Sequence, residues 1–157
     1  MQTDGYLRFS SLKLNDNSRS QWRYSMYHEA HYHSTTHEGL GVFRGSARLR
    51  FGVSDDDNPN DAIELNVKVG DVIVIPAGVV HCAVQESGGF CMVGSYPEVS
   101  AGSAFKLNGQ GAARWDTCYS DDINVRAHQE KIAEIATPDM DPIGGKDGPL
   151  KVYWKQT

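Results

Sequence analysis

The stretch that decides the reading is His31–Gly45, HYHSTTHEGLGVFRG, preceded by YHEA. Four histidines and two glutamates fall within the eleven residues His28–Glu38. Ionisable side chains are costly to bury unless something pairs them. In a strand, residues i and i+2 point to one face. His31 and His33 therefore share a face and lie close enough to grip one cation. After the four-residue turn STTH, Glu38 opens the next strand, in phase with Leu40 and Val42. Those two look core-facing, so the Glu38 carboxylate points inward and needs a partner. His37 has the opposite parity and is expected to be structural. His28 is out of phase with His31 and is expected at the surface or an interface.

A fourth donor lies further along, in GDVIVIPAGVVH, Gly70–His81. The Gly permits a turn, VIVI reads as a buried strand, and PAG is a tight turn that aims His81 at the same cavity. Three imidazoles and one carboxylate form a mixed N/O set. Such a set suits one divalent transition metal (Fe, Mn, Ni, Co, Cu or Zn) and leaves one or two positions open for water or substrate.

The rest of the chain fits a small barrel. It has 157 residues, 39% apolar and 22% charged, with a formal net charge of −5. That is one domain's length and a globular composition. The acidic balance, with no basic run, argues against nucleic acid and anionic membrane partners. No apolar run approaches the ~20 residues of a membrane span. The start, MQTDGYLRF, lacks the pattern of a signal peptide. Cys82, Cys91 and Cys118 form no C-x-x-C motif and read as reduced thiols, which places the chain in the cytoplasm. From Tyr6 to about Ser95, short β-like runs alternate with turns. They are YLRFSSLKL, QWRYSMY, GLGVF, SARLRFGV, AIELNVKV, DVIVIP, VVHCAVQ and FCMVGSY. Their density predicts a sandwich or barrel. SDDDNPND reads as a solvated hairpin loop and ESGG as a second hairpin turn. EVSAGSAFKLNGQGAAR reads as a Gly-rich surface loop, and VRAHQEKIAEIA as a helix of about three turns stopped by Pro138. The end is a turn-rich arm closing in a short β-like run.

The motif His31-x-His33-x4-Glu38-x6-Gly45 resembles cupin motif 1, and Gly70-x5-Pro76-x-Gly78-x2-His81 resembles cupin motif 2. With VGSYP and the late DPIGGKDGPL, the chain looks like the YjlB-like branch of small single-domain cupins, over most of Trp22–Leu150. The resemblance implies an all-β double-stranded β-helix, a cupin jelly-roll barrel, with a short C-terminal helix and arm. It implies a single cupin domain over 1–157, with the barrel at about 6–125 and the helix and arm at about 126–157. It implies a metal inside, held by His31, His33, Glu38 and His81. The chain looks short before Trp22, so an edge strand is missing or is supplied by a partner subunit. The loop over Ala101–Ala113 looks like an insertion able to cover the barrel mouth.

Tyr27 and Glu29 are in phase with His31 and, in a regular strand, flank the metal. Tyr27 would orient a substrate oxygen, and Glu29 would serve as a general base. Tyr96, in GSYP, ends a barrel strand and is a third candidate at the mouth. Cys82 follows His81, so it faces away from the metal and reads as a core thiol. GGKDGPL reads as a structural turn, or as a lid carrying Lys146 and Asp147. Arg48 and Arg50 alternate with Ala47, Leu49 and Phe51, which suggests an outer face at a homodimer contact. The function expected is a metal-dependent enzyme acting on a small organic metabolite. Dioxygenase-type chemistry is favoured slightly over isomerase or lyase chemistry, by analogy within a fold that hosts many reactions. The alternative is a non-catalytic sugar- or metabolite-binding cupin with a structural metal.

Overall fold

The computed structural model describes residues 18–97, 116–138, 141 and 143–154. The strand expected in YLRFSSLKL and the loop expected at 98–114 lie outside those residues. The strands are β1 (Ser18–Tyr24), β2 (Glu38–Phe51), β3 (Ile63–Lys68), β4 (Val72–Ile75) and β5 (His81–Pro97). All their pairings are antiparallel, in the order β1-β5-β2-β3, with β4 also on β2. The all-β expectation holds. Among the described residues, no helix is long and apolar enough to cross a membrane.

Two long strands carry the architecture. GLGVF and SARLRF, expected as separate strands, are one strand, β2. VVHCAVQ and FCMVGSY likewise share β5, apart from the two valines before His81. ESGG is therefore not a hairpin. Residues on both sides of it pair with β2 in the same sense, with register shifts opposite Gly45. Gly45, Gly88 and Gly89 all have positive φ, so the extra residues are absorbed as a bulge and the chain does not reverse. A Cβ on Gly45 would sit 2.4 Å from the Ser87 carbonyl oxygen, so glycine is required there.

The bulge also resets the inward phase. Leu40 and Val42 are buried before it, whereas Ala47, Leu49 and Phe51 are buried after it. One half of β2 lies between β4 and the end of β5, and the other lies between β3 and the start of β5. The core fills the curl, with Leu49 and Met92 fully buried. Each such side chain contributes about 1.5–3 kcal/mol by leaving water. Arg48 and Arg50 face outward, where both pair with Glu64 of β3 at 3.5 and 3.1 Å.

The first helix, α1 (Val125–Ala133), ends three residues earlier than expected. The Ala136 carbonyl instead accepts from His37 Nε2–H at 3.2 Å, two residues before Pro138. Ile132 of α1 packs on Gly78 of the PAG turn, where a Cβ would lie 2.8 Å from its Cδ1. The last segment is also corrected. LKVY lies in a short helix, α2 (Pro149–Tyr153), and not in a β-like run. Asp141 organises the arm before it, because its buried carboxylate accepts from the N–H groups of Ile143, Gly144 and Leu150. GGKDGPL is thus a closed turn with Lys146 and Asp147 exposed.

Candidate metal centre

Residues 27–33 run alongside the start of β5, on the side away from β2. His31 and His81 exchange main-chain hydrogen bonds of 3.2 and 2.8 Å. Gly78 N–H donates to the His33 carbonyl, and Ala83 N–H to that of Tyr27, both at 2.8 Å. This ladder gathers the three rings, His31 and His33 edge-on with centroids 5.6 Å apart, and His81 tilted against them at 4.4 Å from His31 and 5.5 Å from His33. One ring nitrogen from each lies within 4.8 Å of the other two, and all three residues are buried.

The hydrogen bonds decide which nitrogens face the cavity. His31 Nδ1 meets the Glu29 carbonyl at 3.0 Å, His81 Nδ1 meets that of Val79 at 2.9 Å, and His33 Nδ1 meets that of Asp116. A carbonyl can only accept, so each Nδ1 carries the proton. In the neutral rings this leaves Nε2 as the nitrogen that offers a lone pair, the tautomer a metal requires.

Glu38 lies beside two of these rings. Its side chain is 3% exposed, and Oε2 lies 3.4 Å from His33 Nε2 and 3.3 Å from His81 Nε2. Burial alone would raise its pKa, but the adjacent His33 and His81 outweigh burial and hold it down at about 2. Burial, with help from His81, lowers His31 to about 4. Burial also pulls His33 down, but Glu38 more than offsets it and the net shift is upward. Two bare lone pairs against a carboxylate repel unless positive charge lies between them. A proton on either ring would answer part of that demand, whereas one divalent cation answers all of it. The buried His31, His33 and His81 group is compatible with such a site, and the donors present fit it.

The other sequence candidates fall in different places. Tyr96 is 2% exposed, and its hydroxyl donates to Glu38 Oε1 at 3.0 Å, so it holds the carboxylate from inside the fold. Tyr27 is 57% exposed, with its ring edge-on to His31 at 5.2 Å. Glu29 is exposed, and it is its carbonyl that meets His31. A bend at residues 28–29 interrupts the regular alternation that would point its side chain inward. His28 is exposed and bonds the Ala83 carbonyl. His37 is structural. It accepts from Ala77 N–H at 3.0 Å, and its ring packs on Trp154. Cys82 is buried in β5 with Arg50 as its cross-strand partner, on the face away from His81.

The sequence reading had no signal for Asp116, which follows a Gly-rich stretch without a motif. It also missed Tyr119. The pairing of Tyr32 with Cys118 runs antiparallel, which sets residue 119 across from His31. Burial, followed by the neighbouring Glu29 and Tyr27, raises the Tyr119 phenol.

Comparison with known proteins places the chain in a family. The family pattern described as Cupin matches residues 19–94. Protein YjlB of Bacillus subtilis (strain 168), described as uncharacterized, is 31% identical over 135 residues, covering 86% of this chain and 70% of that one. Among solved structures, an 11S globulin from Wrightia tinctoria with an auxin binding site aligns over 64% of this chain (TM-score 0.39, 18% identity). An Fe(II) HppE–substrate complex aligns over 54% (TM-score 0.32, 16% identity). The chain spans 19% and 41% of the lengths of those two structures. With both motifs in place and a YjlB relative matching along most of its length, the chain belongs to the cupin family.

Proposed function

We propose that the chain is a single-domain, metal-dependent cupin enzyme. One divalent transition metal would be held by His31, His33, His81 and Glu38, and would act on a small organic molecule. Oxygenase-type chemistry is favoured ahead of isomerase or lyase chemistry. The observation that carries the reading is the convergence of three buried imidazoles, each with Nδ1 on a main-chain carbonyl, with Glu38 beside two of them. When bound, such an ion supplies Lewis acidity and, if redox-active, electron transfer.

The protein's own groups do the rest. Tyr96 holds Glu38 through Oε1 and leaves Oε2 toward the histidines. Tyr27, beside His31 and open to solvent, is positioned to orient a substrate oxygen. Glu29, turned outward by the bend at residues 28–29, would take a proton only from a substrate that lies across that exposed rim. The exposed Tyr27 edge supports an approachable centre over a sealed structural one.

The test is substrate-dependent O2 uptake by metal-loaded protein against a panel of phenols, thiols, keto acids and sugars, alongside product analysis. The reading expects turnover that His81→Ala abolishes. Glu29→Gln should slow it by roughly 10²-fold, the scale for losing a general base. Turnover without O2 consumption would move the chemistry to isomerase or lyase. Saturable binding of a panel compound with no product would make the protein a binder and overturn the enzyme reading.

A further inference from the structure

His31 and His81 each have their ring held by the carbonyl two residues before them, those of Glu29 and Val79. For His33 the equivalent carbonyl is that of His31, and it is already taken by His81 N–H at 2.8 Å. His33 therefore takes its acceptor from the distant main chain at Asp116. That carbonyl is not left to drift. The Asp116 carboxylate receives Ser34 N–H at 2.8 Å, Thr35 Oγ1 at 3.0 Å, the Ser34 hydroxyl and the Cys118 thiol at 3.4 Å. Two residues on, Cys118 exchanges main-chain hydrogen bonds with Tyr32, both 2.9 Å. Residues 116–118 are thus fastened to residues 32–35 on both sides of His33.

We infer that Asp116 is a positioning residue for the metal centre: its carboxylate clamps Ser34 and Thr35 so that its own carbonyl fixes the ring and tautomer of His33. The inference rests on the metal-centre reading and deepens it. A clamp serving only the turn would stabilise the fold without changing how the centre binds. A clamp that orients a ligand must change metal affinity, because partners that orient a ligating histidine are worth about 10–100-fold in affinity.

The experiment titrates Co2+ alone into metal-stripped protein, followed by the visible absorption of the bound ion. It compares wild type with Asp116→Ala, Asp116→Asn and Asp141→Ala. Asp116→Ala is expected to weaken Co2+ binding by about 10–100-fold and to change the band shape as His33 loses its fixed orientation. Asp116→Asn keeps an oxygen for Ser34 N–H and Thr35, so it recovers most of the affinity. Asp141→Ala removes another clamping carboxylate, in the C-terminal arm, and should lower stability but not affinity. If Asp116→Ala does not fold, Ser34→Ala removes one clamp contact and should weaken Co2+ by a few-fold. Folded Asp116 or Ser34 variants that bind Co2+ as wild type does, with the same bands, would overturn the inference alone. A wild type that binds no Co2+ would bring down the metal-centre reading as well.

Discussion

Tyr96→Phe tests how the site is held with a single oxygen. The ring keeps its perpendicular packing on His33, at 5.9 Å between centroids, so little volume is lost. What goes is the hydroxyl that donates to Glu38 Oε1 at 3.0 Å. Tyr96 and Glu38 are 2% and 3% exposed, so bulk water does not step in. A hydrogen bond to a charged acceptor is worth about 1.5–3 kcal/mol. At this chain length, 1 kcal/mol moves the melting midpoint by roughly 2–4 °C. A drop of roughly 3–12 °C in the metal-free protein is therefore expected by scanning calorimetry. Glu38 should also lose its preferred orientation toward His33 and His81, which weakens metal binding by roughly tenfold, or about 1.4 kcal/mol. A midpoint within about 1 °C of wild type, with unchanged metal affinity, would refute the reasoning.

Three further expectations follow from other parts of the molecule. Asp141→Ala leaves the N–H groups of Ile143, Gly144 and Leu150 without their acceptor and should cost about 3 kcal/mol in chemical denaturation, with no change in metal content; a loss below about 0.5 kcal/mol would contradict it. Burial, followed by Asp116, raises the Cys118 thiol to about 11 from an ordinary 9.0, so it should resist alkylation at pH 8 while the half-buried Cys91 reacts. A raised folded-state pKa means that this contribution to stability is intact below pH 9.0 and is lost as pH rises through about 11; rapid labelling of Cys118 at pH 8 would contradict the burial. Among the described residues β3 is the last strand on its side of the sheet, and it carries Ile63 at 64% exposure, so light scattering at ~10 µM should give twice the chain mass; a monomer would remove the dimer.

The site's histidines were legible because short-range geometry decides them. The i, i+2 parity of His31 and His33, the inward phase shared by Glu38 and Leu40, and the PAG turn before His81 are all local. The failures are non-local. Glu29 was placed by extending a strand phase through residues 28–29, where the chain bends. ESGG has the composition of a hairpin turn, and only the pairing of both its flanks with β2 makes it a bulge. Tyr96 was legible as a site residue, but its role depends on meeting Glu38 across 58 positions of sequence. Asp116 carries no motif, and its importance comes from a carbonyl that any residue possesses. Its carboxylate became readable only once Ser34 and Thr35 were seen beside it. LKVYW has β-like composition, but Pro149 opens a helix and Asp141 caps the turn before it.

The central claim is that His31, His33, His81 and Glu38 hold one divalent metal. Its most direct test is elemental analysis of protein purified without a metal-binding tag and dialysed against metal-free buffer, compared with His31→Ala/His81→Ala. The account predicts close to one transition-metal ion per wild-type chain and essentially none in the double variant, with a lower melting midpoint to match, since binding only the folded state stabilises it. Equal metal content in the two proteins, or a wild type that stays empty after incubation with each candidate ion, would contradict it.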